Sequence, residues 1–208
     1  MLDPLIKKTL SILASVVVVV FLYLGAYLPY EKSQKLISAM GSIQGGASLQ
    51  GYENAFGSVL DFYSPVGQEE SVKQLGNSTL SILSSQKNLP KDVAEELLKF
   101  NLKYFEPIIN DSRGGNASQN ILILGQIYHT MALAYNDINY LDIAIGYYKK
   151  GLDNSPRRPQ FLYSLVEAYQ QKGDYNSAIK IGEEILNYWP NDNNVKQAVE
   201  EMRKLQNK

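Results

Sequence analysis

A chain of 208 residues that is 45% apolar and 20% charged has room for one domain of ordinary globular composition. With 20 Lys and Arg against 21 Asp and Glu the net charge is −1, so no basic surface is available to release counterions from DNA or RNA, and nucleic acid is excluded as a partner. The absence of cysteine excludes disulfide scaffolds, cysteine zinc sites, thiol nucleophiles and cysteine-ligated iron–sulfur clusters.

Residues 1–9 form a short tail. No charge occurs between Lys8 and Glu31, and Leu10 to Leu28 reads LSILASVVVVVFLYLGAYL. At about 1.5 Å per residue this stretch reaches roughly 30 Å, the thickness of a bilayer's hydrocarbon core. A helix satisfies its own backbone in lipid, which predicts a transmembrane helix over 10–29 with the bilayer as its partner. Tyr23, Tyr27 and Tyr30 cluster at its far end, where an interfacial aromatic belt sits. A cleaved signal peptide ending at Ala26 is the competing reading. It fits less well, because the apolar run exceeds the usual length of about 7–15 residues and Leu24 occupies a small-residue position. A buried core helix fits worse still, since nothing downstream is apolar enough to wrap it. Lys7 and Lys8 before the span compete with Lys32 and Lys35 after it, which favours the N-terminus inside by a narrow margin.

Residues 30–51, with Gly41, Gly45, Gly46 and Gly51, read as a juxtamembrane tether or frayed helix. Region 52–118 then carries three helical patterns expected to pack on the helices of the C-terminal half. Tyr52, Ala55, Phe56, Val59, Leu60 and Tyr63 keep 3.6 spacing up to Pro65. Val72, Leu75, Thr79, Ile82 and Leu83 form the next. The third holds Val93, Leu97, Leu98, Leu102, Phe105, Ile108 and Ile109, opened by Pro90 and closed by Asn110, with Pro107 placed to bend its last turn. Asp111 to Ser118 reads as a loop.

Laying Gly125–Arg158 over Pro159–Asp192 without a gap aligns seven identities in 34 positions, where composition alone gives about two. They are Gln126/Gln160, Ala134/Ala168, Tyr135/Tyr169, Ala144/Ala178, Ile145/Ile179, Leu152/Leu186 and Pro156/Pro190. Each block is two amphipathic helices. Tyr128, Met131, Ala132 and Tyr135, then Ala144, Ile145, Tyr148 and Leu152, face inward in the first, with the turn at Asn139. Leu162, Leu165, Val166 and Tyr169, then Ala178, Ile179, Ile181, Ile185 and Leu186, do so in the second, with the turn at Gly173-Asp174. After Pro190, Asn191-Asp192 caps a last helix over 193–208, whose stripe is Val195, Ala198, Val199, Met202 and Leu205.

This 34-residue order of large, small, aromatic, Ala and Pro positions resembles the tetratricopeptide repeat. It departs from that pattern at Tyr128 and Leu162 in the Trp position, at Ala132 and Val166 in the Gly position, and at Gly182 and Ile185 in the second helix, where Gly182 is expected to loosen packing. The fold class is therefore all-α: one N-terminal transmembrane helix and an α-solenoid of helical hairpins, with two repeat units over 119–192. The phrase YENAFGSVLDFYSPVGQEESVKQL (Tyr52 to Leu75), followed by two such units around SPRRPQ (Ser155 to Gln160), resembles the soluble tail of bacterial O-antigen ligase or polymerase-like membrane proteins. In that family the chemistry lies in many spans, so one span carries over no catalytic residue.

The sequence offers little other chemistry. His129 is the only histidine and lacks metal-ligand neighbours. The pairs Glu69-Glu70, Glu95-Glu96, Glu183-Glu184 and Glu200-Glu201 point about 100° apart on a helix and read as solvated faces. Phosphate loops, dinucleotide fingerprints and nucleophile elbows are missing, and the glycosylation triplets at Asn77, Asn110 and Asn116 are near the chance number. No enzyme activity, cofactor or metal is expected. What the repeat resemblance implies is a concave groove presenting Gln126, His129, Leu133 and Asn136, then Gln160, Tyr163, Glu167 and Gln170. It lacks the cations of carboxylate-binding members, and so suits a neutral or mixed protein or peptide segment. The face could equally pack on the upstream helices. The expectation is a single-pass scaffold of the cell envelope, in a bacterial inner membrane with its repeats outside the cytoplasm, working in surface polysaccharide assembly. The alternative is a separated tail of an O-antigen-ligase-like enzyme with a polytopic membrane partner.

Overall fold

The computed structural model describes residues 3–44, 48–86, 88–110 and 115–206, all helix and connecting turns with no strand among them. It divides into two compact units, Met1–Val72 and Lys73–Lys208.

The first unit begins with α1 (Pro4–Leu22), started by Asp3, whose carboxylate accepts the Leu5 N–H at 2.8 Å, and by Pro4 in the first turn. A π-helical stretch, Tyr23–Tyr27, follows and stacks its two tyrosine rings 5.5 Å apart. α2 (Leu28–Gln44) continues from it without interruption. This helix is long and apolar enough to cross a membrane, and its most apolar window is not buried at all. Every residue from Asp3 to Tyr27 is exposed; Leu28 is the first buried one.

The region expected as a tether or frayed helix is helical to Gln44, while 45–47 lie outside the described residues. The reason is tertiary: α2 buries Leu28, Lys32 and Ala39, and α3 (Leu49–Leu60) packs on it, outweighing the weak propensity of Gly41 and the serines. Ser48 caps α3 by accepting the Gly51 N–H at 3.2 Å, and Tyr52, Phe56, Val59 and Leu60 form its buried face. Tyr63, expected on that face, lies beyond the helix end and is 71% exposed, because Pro65 disfavours helix at the residues before it. The loop from Asp61 to Gly67 is held from α2. The Lys32 ammonium, buried, donates to the Phe62 carbonyl at 3.0 Å and to Gln68 Oε1, and the Lys35 ammonium lies 5.3 Å from the Phe62 ring centre. Burial lowers the Lys32 pKa below the ordinary lysine value. Gly67, at φ +90°, makes the turn into α4 (Gln68–Ser85).

In the second unit the rest of α4 is followed by α5 (Lys91–Asn110), α6 (Gly115–Tyr135), α7 (Ile138–Asn154), α8 (Pro159–Lys172), α9 (Tyr175–Tyr188) and α10 (Asn193–Gln206). From α5 onward each helix packs on the next, and α6 also touches α8. Short connections make such neighbours antiparallel. α6 is the central helix, with Ile121–Gly125 and Ile127–His129 all buried. Glycines bring the helices close. A Cβ on Gly125 would lie 2.5 Å from the Tyr148 ring and one on Gly151 would lie 2.2 Å from the Phe161 ring. Gly182 does the same for Val199, at 2.5 Å, so it does not loosen the packing as expected but is the socket for α10.

Two sequence expectations about turns change. Of the loop expected over 111–118, residues 111–114 lie outside the described residues and 115–118 are the first turn of α6, with Ala117 and Ser118 buried. The turn of the first hairpin falls at Asn136-Asp137 and not at Asn139. Asn136 takes φ +50°, and Asp137 accepts the Asn139 N–H at 3.1 Å, capping α7. Gly173, at φ +77°, and Asp174, which accepts the Ser177 N–H at 3.1 Å, do the same between α8 and α9. The first turn comes about one helical turn early, so α7 gains what α6 loses and Ala144 and Ala178 are both fully buried at their 34-residue spacing. The last helix begins as expected, with Asp192 accepting the Val195 N–H at 3.1 Å, although Leu205 is 45% exposed.

Candidate functional site

The eight groove residues sort into three environments. Leu133, Gln160, Glu167 and Gln170 are exposed on α6 and α8, and Gln126 is half-buried. Asn136 is exposed in the α6–α7 turn, where its left-handed backbone is what the position requires. His129 is buried at 6% exposure and links helices. Its Nε2 meets Gln171 Oε1, which can only accept, so Nε2 carries the proton; Nδ1 then accepts from the Tyr148 hydroxyl at 3.2 Å. Gln171 Nε2 in turn donates to Glu167 Oε1 at 3.3 Å. Burial raises the Tyr148 pKa, which keeps the hydroxyl protonated as a donor. The chain Tyr148, His129, Gln171, Glu167 thus ties α6 and α7 to α8, and Gln171 is a member that sequence reasoning omitted. Among the described residues no group of three or more His, Asp or Glu side chains is placed to hold a metal ion.

Tyr163, 40% exposed, belongs to a different site. With Pro159 one turn before it on α8, it lines a shallow cleft of about 540 Å³ whose opposite wall is Tyr188, Trp189, Pro190, Asn191 and Asp192. The Tyr188 and Trp189 rings meet edge to face, 5.6 Å apart, and the Arg157 guanidinium sits 5.5 Å from the Tyr188 ring centre. The Tyr163 hydroxyl donates to Asp192 Oδ2. That bond, with the Val195 N–H behind it, holds the Asp192 carboxyl below its ordinary pKa, and the same bond raises the Tyr163 hydroxyl.

Comparison with protein-family models and with curated proteins gives no match to this chain.

The site therefore rests on its own geometry. Two prolines fix the backbone on either side, and three helix ends meet there: Pro159 opens α8, Tyr188 ends α9 and Asp192 caps α10. Sequence reasoning missed Tyr188 and Trp189, since both lie at positions where the two blocks differ (Asn154 and Ser155 in the first). The available signal was the chain's single tryptophan beside a helix-ending proline.

The Asp192 linkage has a definite sign. Its folded pKa lies below the unfolded one, so its contribution to stability is complete above the unfolded value, about 4, and disappears as pH falls through the folded value. Tyr163→Phe removes the largest cause. The Asp192 carboxyl titration midpoint, followed by NMR, is expected to move upward in that variant; an unchanged midpoint would show that the backbone N–H groups of Val195 and Asn194 set it without Tyr163.

Proposed function

We propose that this chain is a non-enzymatic, membrane-anchored scaffold of tetratricopeptide type that docks a partner protein at the cell envelope, with its N-terminus inside and its repeats outside the cytoplasm of a bacterial cell, in the service of surface polysaccharide assembly. The observation that carries the docking role is the cleft. It gathers the only tryptophan and two half-exposed tyrosines into one concave place, with Arg157 over the Tyr188 ring, and these are residue types that dominate binding energy at protein interfaces. Support for the repeat reading comes from the 34-residue spacing of Ala144 and Ala178, both at 0% exposure, and from the sequential packing of α5 to α10. An anchor would confine such a scaffold to two dimensions and raise the effective concentration of whatever it binds.

Purification of the full chain in mild detergent, as wild type and as Trp189→Ala, tests the docking role. Loss of a truncated hot-spot contact costs about 2 kcal/mol or more, roughly 30-fold in affinity, so a companion bound at the cleft is expected to fall away in the variant. Equal recovery of every companion with both proteins would remove the cleft from the interface. A multi-span companion lost with Trp189 would favour the reading as a separated tail of an O-antigen-ligase-like enzyme.

A further inference from the structure

We propose that the loop from Asp61 to Gly67 is a second membrane contact, seating Tyr63 and Val66 in the lipid headgroup layer at the α2 end of the span. The inference rests on the anchor reading of α1. The lipid-compatible surface and the packed surface of the first unit adjoin without a gap: Tyr27 is the last residue of an unbroken exposed run and Leu28 is buried at 6%. Lys32 lies four residues further on, about 6 Å along the helix axis. The headgroup layer on each side of a bilayer is about 5–7 Å deep, so Lys32 stands within it. Lys32 is the residue that holds the loop, through its bonds to the Phe62 carbonyl and to Gln68, with Lys35 over the Phe62 ring.

The loop's composition suits that depth. Its exposed residues include Tyr63 at 71% and Val66 at 59%, and no charge occurs between Asp61 and Glu69. Tyrosine is enriched where one end of a ring meets hydrocarbon and the other water. α3 makes the return possible. It packs on α2, runs back along it, and delivers Phe62 to Lys32.

The cysteine-free chain allows a direct depth measurement with single-cysteine variants carrying an environment-sensitive fluorophore, reconstituted at full length in phospholipid nanodiscs. Val66→Cys is at an exposed site, Val18→Cys reports the span, and Gln50→Cys lies at the start of α3, away from the loop. The expected result is a blue-shifted Val66→Cys probe quenched by lipids bearing a quencher near the headgroup, a Val18→Cys probe quenched by acyl-chain quenchers, and a Gln50→Cys probe quenched by neither. A Val66→Cys probe that matches Gln50→Cys while Val18→Cys is quenched overturns the loop contact and leaves the anchor standing. A blue shift without lipid quenching means that protein covers the loop, and also overturns it. An unquenched Val18→Cys probe overturns the anchor, and the loop contact with it.

Discussion

Phe161→Ala is expected to lower the unfolding free energy of the second unit by about 3–5 kcal/mol, the usual cost of removing a fully buried ring. Phe161 is 0% exposed, and its ring lies where a Cβ on Gly151 would stand, 2.2 Å from ring carbons. Gly151→Ala alone forces that ring aside in a packed interior, costing about 1–3 kcal/mol. The informative variant is the double one. Where the ring is gone the new methyl meets no obstacle and fills part of the space, so the double variant is expected to be more stable than the sum of the single effects by about 0.5–3 kcal/mol. Urea unfolding of the full-length protein in detergent, followed by helical circular dichroism, measures all three. Strict additivity would mean that Phe161 and Gly151 do not meet and that α7 and α8 pack in another register.

Val18→Arg is expected to have the second large effect. Val18 is 55% exposed on α1, near the middle of the uncharged stretch between Lys8 and Glu31. Exchanging an apolar residue for arginine at the centre of a spanning helix costs about 3–4 kcal/mol, two to three orders of magnitude in insertion equilibrium. Alkaline carbonate is expected to leave the wild-type chain in the membrane pellet and to release much of the variant. Release of both would show that α1 does not cross the bilayer. Intact spheroplasts report the orientation: added protease removes a C-terminal tag only where the second unit lies outside.

The parts of the fold legible in the sequence are those with a strong local cause. The apolar run up to Leu28, the Ala144/Ala178 spacing, Pro159 in the first turn of α8 and the Asp192 cap are each fixed by one helical turn of chain or by one period. What escaped depends on distant partners. Leu28 to Gln44 is helical because α3 covers it, and Gly41 and the three serines say the opposite. Asn136 replaced Asn139 as the turn because Asp137 supplies a cap one position later, a choice between two local solutions that identities alone could not separate. His129 was grouped with the groove by its period, yet the hydroxyl of Tyr148 and the amide of Gln171, 19 and 42 residues away, draw it inward. The cleft at Trp189 escaped for the reverse reason: alignment rewards sameness, and Tyr188 and Trp189 stand where the two 34-residue blocks differ.

α1, the π-helical stretch and α2 form one unbroken run. A spanning helix answers a change of bilayer thickness by tilting. In the anchor reading such an element would not end at the lipid surface, because the helix continues for the 17 residues of α2, a rod of about 25 Å. A tilt change of about 10° would then sweep the tip of that rod through roughly 4 Å, about the base where Lys32 clasps the loop. With α1 across a bilayer as proposed above, the first unit would be a lever that turns the mechanical state of the membrane into sideways travel of its far end.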